Sequence, residues 1–78
     1  MTRDTTVNRN LRLIMRRKGV RQTELAKACG LTYQSLHRAV NGRRPIYADE
    51  LPYLAQALGE SVDALLGMEE EQGENPWA

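Results

Sequence analysis

Apolar positions recur along the chain at helical spacing, and glycines mark the stops between the runs. Val7, Leu11, Ile14 and Met15 follow the i, i+4, i+7, i+8 pattern of an amphipathic helix. Thr5 or Thr6 can cap its start, Gly19 ends it, and Val20 returns the chain to the core. Residues 1–5 are polar and are expected to form a flexible N-terminus. A second helix is predicted over Gln22–Cys29, with Leu25, Ala26 and Cys29 on one face and Gly30 at its end. Leu31 plugs the following turn, and Thr32 caps a third helix over Tyr33–Val40, whose inward residues are Leu36, Ala39 and Val40. Asn41-Gly42 ends it. After the loop Arg43–Tyr47, a fourth helix opens near Asp49 and runs to Leu58, burying Leu51, Leu54, Ala55 and Leu58. Pro52 falls in its first turn, where the missing N–H breaks no intrahelical bond. Gly59 closes that helix, and Ser61 caps a short fifth one with Val62, Leu65 and Leu66 inward. The pattern predicts an all-α, five-helix domain over residues 6–67, with no strand and no repeat. The acidic tail 68–78 has too little apolar content to fold alone and is expected to be disordered.

Composition narrows the function classes. A core built from 78 residues leaves little room for a buried active-site cavity, so an enzyme is not expected. Neither a Ser/His/Asp or Cys/His arrangement nor a glycine-rich phosphate loop is present. The single Cys29 cannot form an internal disulfide. With His37 it makes too few ligands for zinc, so no cofactor or metal is expected. No apolar run is long enough to span a bilayer and no stretch resembles a signal peptide, which gives a cytoplasmic, nucleoid-associated protein as the expectation.

Charge changes the picture more. All eleven basic residues lie between Arg3 and Arg44, opposed there only by Asp4 and Glu24, so this part carries +9. From Pro45 onward eight acids stand without a Lys or Arg, giving −8. A cationic field confined to one part of a domain suits a polyanion, because Lys and Arg that neutralise phosphates release condensed counterions.

The segment Gln22–Val40 decides which polyanion. Ala26 is small where two helices joined by a short turn cross closely, and Gly30 accepts the backbone twist that reverses direction. Leu25, Cys29, Leu31 and Leu36 lock the pair against the bundle. With Leu36 inward, Tyr33, Gln34, His37 and Arg38 project from the opposite side. Gln34 can pair with adenine N6 and N7, and Arg38 with guanine O6 and N7. For His37 a solvated position and a base or phosphate contact stay open as alternatives. Gln22, Arg21, Thr32, Ser35, Asn41, Arg43 and Arg44 flank this face and are expected to meet phosphates. Arg16, Arg17 and Lys18 either join them or stabilise the C-terminal end of the first helix, and at least one is expected to be structural.

Leu25-Ala26, Cys29-Gly30-Leu31, Leu36, Ala39, Asn41-Gly42 and Leu54-Ala55-Gln56-Ala57-Leu58-Gly59 together resemble the helix-turn-helix of the Cro and lambda-repressor (XRE) family over residues 7–66. The resemblance implies a compact lambda-repressor-like domain that reads double-stranded DNA with its third helix. It also implies that Gln22 steadies a Gln on that helix, making Gln22–Gln34 a candidate pair. Three positions depart from the family pattern. Arg21 stands where a Ser or Thr usually caps the second helix. Met15 and Val40 occupy positions that hold an Arg–Glu ion pair in many relatives, so an apolar contact is expected there. Leu13 is apolar on a side that is usually polar, either as a lone exposed residue or as part of a partner surface.

The expected function is transcriptional repression by occupying a palindromic operator as a homodimer that is largely monomeric when free, with a phage or mobile-element origin by family analogy. The competing reading, from a different class, is an antitoxin-like interaction module whose tail, anchored by Trp77, folds on a protein partner.

Overall fold

A computed structural model of the protein describes residues 4–68. Five α-helices follow in order: α1 Thr6–Lys18, α2 Gln22–Cys29, α3 Tyr33–Val40, α4 Leu51–Leu58 and α5 Val62–Leu66. No strand occurs among the described residues. Each helix begins or ends where a side chain or a glycine dictates. Thr5 caps α1, Thr32 accepts from the Ser35 N–H to cap α3, and Ser61 does the same for α5. Arg21 supplies no side-chain cap to α2, where Glu24 reaches back to the Arg21 N–H at a long 3.4 Å.

The fourth helix differs slightly from the sequence expectation. Ala48–Glu50 form a 3₁₀ turn, closed by the Glu50 N–H on the Tyr47 carbonyl, and the α-helix proper starts at Leu51. Pro52 has no N–H to give, so the chain tightens into i+3 bonding just before it.

α1 packs against α3, α4 and α5, while α2 packs against α3 and α4. Leu11, Leu25, Leu36, Leu54 and Leu65 fill the centre, each almost wholly buried. Val20, Leu31, Leu51 and Val62 seal its edges. Met15 and Val40 belong to this same cluster, with neither charge of the family's ion pair. Leu13 is half exposed on α1.

The turn between α2 and α3 depends on Gly30. Its φ of +70° lies in the left-handed region, and its N–H and that of Leu31 close on the carbonyls of Lys27 and Ala26. A side chain would resist that backbone, so glycine fixes the angle at which α3 leaves α2.

Polar ties supplement the apolar core. Asn8 is fully buried, and its amide is satisfied at both ends. Its oxygen accepts from Thr5 N–H and O–H, while its NH2 group donates to the carbonyls of Ala39 at 2.6 Å and Arg44 at 3.2 Å. Arg12 binds both carboxylate oxygens of Asp4 and donates to the Val40 carbonyl at 2.8 Å. Asp4 and Thr5, expected within a flexible N-terminus, are therefore held in place by α1 itself. Two side chains of α1 thus bind the last two carbonyls of α3, of which that of Ala39 also accepts from the Gly42 N–H at 3.2 Å. Lys18 pairs with Glu60 at 3.2 Å, and Asn10 donates to the Leu65 carbonyl, tying α1 to the α4–α5 half. The acidic segment 69–78, including Trp77, lies outside the described residues.

Candidate DNA-binding face

α3 is eight residues long, about 12 Å at the helical rise. With its side chains a helix is about 10–12 Å across, which the B-DNA major groove, about 12 Å wide, admits. Leu36, Ala39 and Val40 turn into the core, so Tyr33, Gln34, His37 and Arg38 are left exposed. Gln34 and Arg38 are both exposed on this face. Tyr33 stacks on the His37 ring, with centroids 5.6 Å apart and planes 23° from parallel.

The expected Gln22–Gln34 pair is not what Gln22 makes. Its amide oxygen lies 3.0 Å from His37 Nδ1, and Asn41 Nδ2 lies 3.2 Å from His37 Nε2. His37 is one turn further along α3 than Gln34 and points back at the start of α2, so it takes the contact. Gln22, Arg21, Tyr33 and Asn41 line an open groove of about 610 Å³ with Arg12 and Arg16. The groove joins the N-terminus of α2, whose free N–H groups favour anions, to Arg16 and Arg21, while Arg12 is paired with Asp4.

The loop after α3 divides the roles of its two arginines. Arg43 is exposed. Arg44 is largely buried and uses four of its five N–H donors inside the protein. Its Nε donates to the Ser35 carbonyl at 3.0 Å, Nη1 to the Pro45 carbonyl and Glu50 Oε1, and Nη2 to Glu50 Oε2. Its guanidinium also lies over the Tyr47 ring, 5.5 Å from the centroid. The phosphate contact expected of Arg44 is corrected accordingly: it fastens the loop to α3 and the start of α4. Ser35, half-buried, gives its carbonyl to that tie, and Thr32 gives its hydroxyl oxygen to the α3 cap.

Electrostatics follow the same geometry. Burial raises the Glu50 carboxyl, but the Arg44 hydrogen bond, the Tyr47 N–H and the Arg44 charge outweigh it and hold the group below its ordinary range. Asp4 is lowered chiefly by its hydrogen bond to Arg12. Burial and the nearby Glu50 charge push the Cys29 thiol up, which makes it a poor nucleophile.

Sequence reasoning missed Asn8 and Arg12, which hold the end of the recognition helix from α1. A signal was present for Asn8. It precedes Leu11 by three and Met15 by seven, which places a polar residue on the buried stripe.

The geometry of two helices joined at Gly30, with the second one's polar side outward, is that of a helix-turn-helix. A family profile for the Cro/C1-type HTH DNA-binding domain matches residues 10–71. The chain belongs to this family. It is a family of DNA-binding transcription regulators, and the all-α, five-helix architecture is the lambda-repressor-like fold. Solved structures agree. The hypothetical transcription factor NHTF from Neisseria is 31% identical with a TM-score of 0.72, over 82% of this chain and 74% of that one. The restriction-modification controller protein C.AhdI from Aeromonas hydrophila is 27% identical with a TM-score of 0.71, over 77% and 91%. The clp gene regulator ClgR from C. glutamicum is 28% identical with a TM-score of 0.71, over 86% and 92%. Among the described residues, no helix is long and apolar enough to cross a membrane.

Proposed function

We propose that this Cro/C1-type domain is a sequence-specific repressor that binds a palindromic operator as a dimer, reading bases with Gln34 and Arg38. The observation that supports this most is the outward side of α3, where a bidentate amide and a guanidinium stand free beside a cationic groove. Gln34 selects adenine and Arg38 guanine, while Tyr33 meets a thymine methyl or a phosphate. Arg21, Thr32 and Arg43 contact the backbone and set register. Occupying a site that overlaps a promoter excludes polymerase by bulk alone, so repression follows from the groove-binding face without further machinery.

One recognition helix reads only a few base pairs, too few to mark a site among the many near matches of a genome. Two copies on a palindrome supply the missing discrimination, with half-sites about 34–36 Å apart. Exposed Tyr53 on α4 and Met68 after α5 provide apolar surface for the self-contact, on helices whose packing partners are α1, α2 and each other. Such a patch is small, so association in solution is weak and the dimer assembles on DNA. Titrating full and half operators while measuring complex mass tests the reading. Two copies bound cooperatively to the full site are expected, and equal affinity for both with one copy per full site overturns the dimer.

A further inference from the structure

His37 is the protein's one histidine, and it stands in the middle of the exposed side of α3 with both ring nitrogens facing groups of the protein. The direction of each bond in this chain of side chains follows from its one unambiguous end. Asn41 Nδ2 lies 2.8 Å from the backbone oxygen of His37. A carbonyl oxygen only accepts, so this end of the Asn41 side chain is its NH2 group. The second N–H of that group faces His37 Nε2, which must then be an unprotonated acceptor. A neutral imidazole carries its proton on the other nitrogen, so Nδ1–H donates, and the Gln22 atom 3.0 Å away is correctly the amide oxygen. A second ring proton would set Nε2–H against the Asn41 NH2, two donors face to face.

We infer that His37 is a positioning residue for DNA recognition and not a base reader: as a neutral imidazole protonated on Nδ1, it turns the NH2 group of Gln22 outward to donate to the operator and holds Asn41 with its oxygen outward. The inference rests on the DNA-binding reading above and assigns its donors. Gln22 lies at the start of α2, beside Arg12, Arg16 and Arg21 in the open groove, where an outward N–H meets an acceptor. That acceptor is a phosphate oxygen or the acceptor edge of a base. Both N–H groups of Asn41 are engaged by His37, so its outward atom is an acceptor, which a phosphate repels. The phosphate contact expected of Asn41 is thereby removed, and its oxygen suits an amino group of adenine or cytosine. Tyr33 completes the arrangement by stacking on the ring and fixing its plane.

The test has one arm without DNA and one with it. With a single imidazole in the isotope-labelled full chain, long-range proton–nitrogen correlations at mildly alkaline pH report which ring nitrogen carries the proton. A protonated Nδ1 and a bare Nε2 are expected in the wild type, and loss of that preference is expected in Asn41→Ala. The opposite tautomer, or a rapid average of the two in the wild type, overturns the inference whether or not the protein binds DNA. The second arm uses His37→Phe, which keeps a ring against Tyr33 and removes both polar contacts, on an operator selected from random duplexes. Its affinity is expected to fall about tenfold, the scale of one lost specific contact, in the same pattern as Gln22→Ala. If both variants lose affinity on random duplexes too and the salt slope drops by about one, the acceptor is a phosphate; if only the operator suffers, it is a base. His37→Phe binding like wild type while Gln22→Ala is weakened refutes the positioning role. If no duplex is bound at all, the DNA-binding reading fails, while the tautomer still decides whether the clamp exists.

Discussion

Replacing Arg44 by alanine is expected to damage the fold, whereas the same change at Arg43 is expected to damage only DNA binding. Arg44 makes four hydrogen bonds at 2.8–3.0 Å, two of them to Glu50, and the two side chains are only 13% and 18% exposed. Removing one partner of a fully buried pair costs about 3–5 kcal/mol, and an exposed pair is worth about 0–1 kcal/mol. Glu50 keeps the Tyr47 N–H at 2.9 Å after the change, so its carboxylate is not wholly orphaned. The expected cost is about 2 kcal/mol, between those limits. In a domain of this size that lowers Tm by roughly 8–16 °C. Arg43 is exposed, and its removal is expected to change stability by no more than about 0.5 kcal/mol while lowering the salt slope of DNA binding by about one unit. Thermal melting by circular dichroism and salt titrations on one duplex measure both quantities. Arg44→Ala melting with the wild type, or Arg43→Ala leaving the salt slope unchanged, refutes the division of roles.

Two further outcomes test the packing and the ion pairs. Met15→Arg places a charge in a cluster where Met15 and Val40 are each 6% exposed. Met15 also borders the open groove, so the new head group partly reaches water and the expected cost is about 2 kcal/mol. Val40→Glu in the same chain should recover part of this, and a double variant less stable than either single one contradicts the reading. Asp4 and Glu50 both have carboxyls lowered by folding, so the unfolded chain binds their protons more readily. Their contribution to stability is complete above the unfolded values, near pH 4, and is lost as pH falls through the lower folded values. Acid titration of Tm should therefore steepen below about pH 4, and Glu50→Gln should flatten it.

What the sequence made legible is what depends on neighbours along the chain. Gly30, Leu31 and Thr32 act through local backbone geometry, and Leu25, Leu36 and Leu54 through a periodic stripe, so the helices and the outward side of α3 could be placed in advance. The polar ties could not. Asn8 reaches carbonyls 31 and 36 positions away, and Arg12 one 28 away, and a carbonyl left open at a helix end accepts from any side chain the fold brings near. Arg44 looked like a phosphate ligand because a loop arginine beside a recognition helix presents the same charge whether it faces out or in. Only the position of Glu50, six residues on, turns it inward. Gln22 meets His37 in place of Gln34 for a similar reason, since the choice between two polar residues one turn apart depends on the crossing of α2 and α3.

Selection of random duplexes with the purified protein, repeated with Gln34→Ala and with Arg38→Ala, tests the central claim most directly. The wild type is expected to return a two-fold symmetric motif. Each variant should lose preference at one base position per half-site, at a cost of about 1–3 kcal/mol on the parent site, with random-sequence binding less affected. The same motif returned at undiminished stringency by both variants would show that α3 does not read the operator through these residues and would contradict the account.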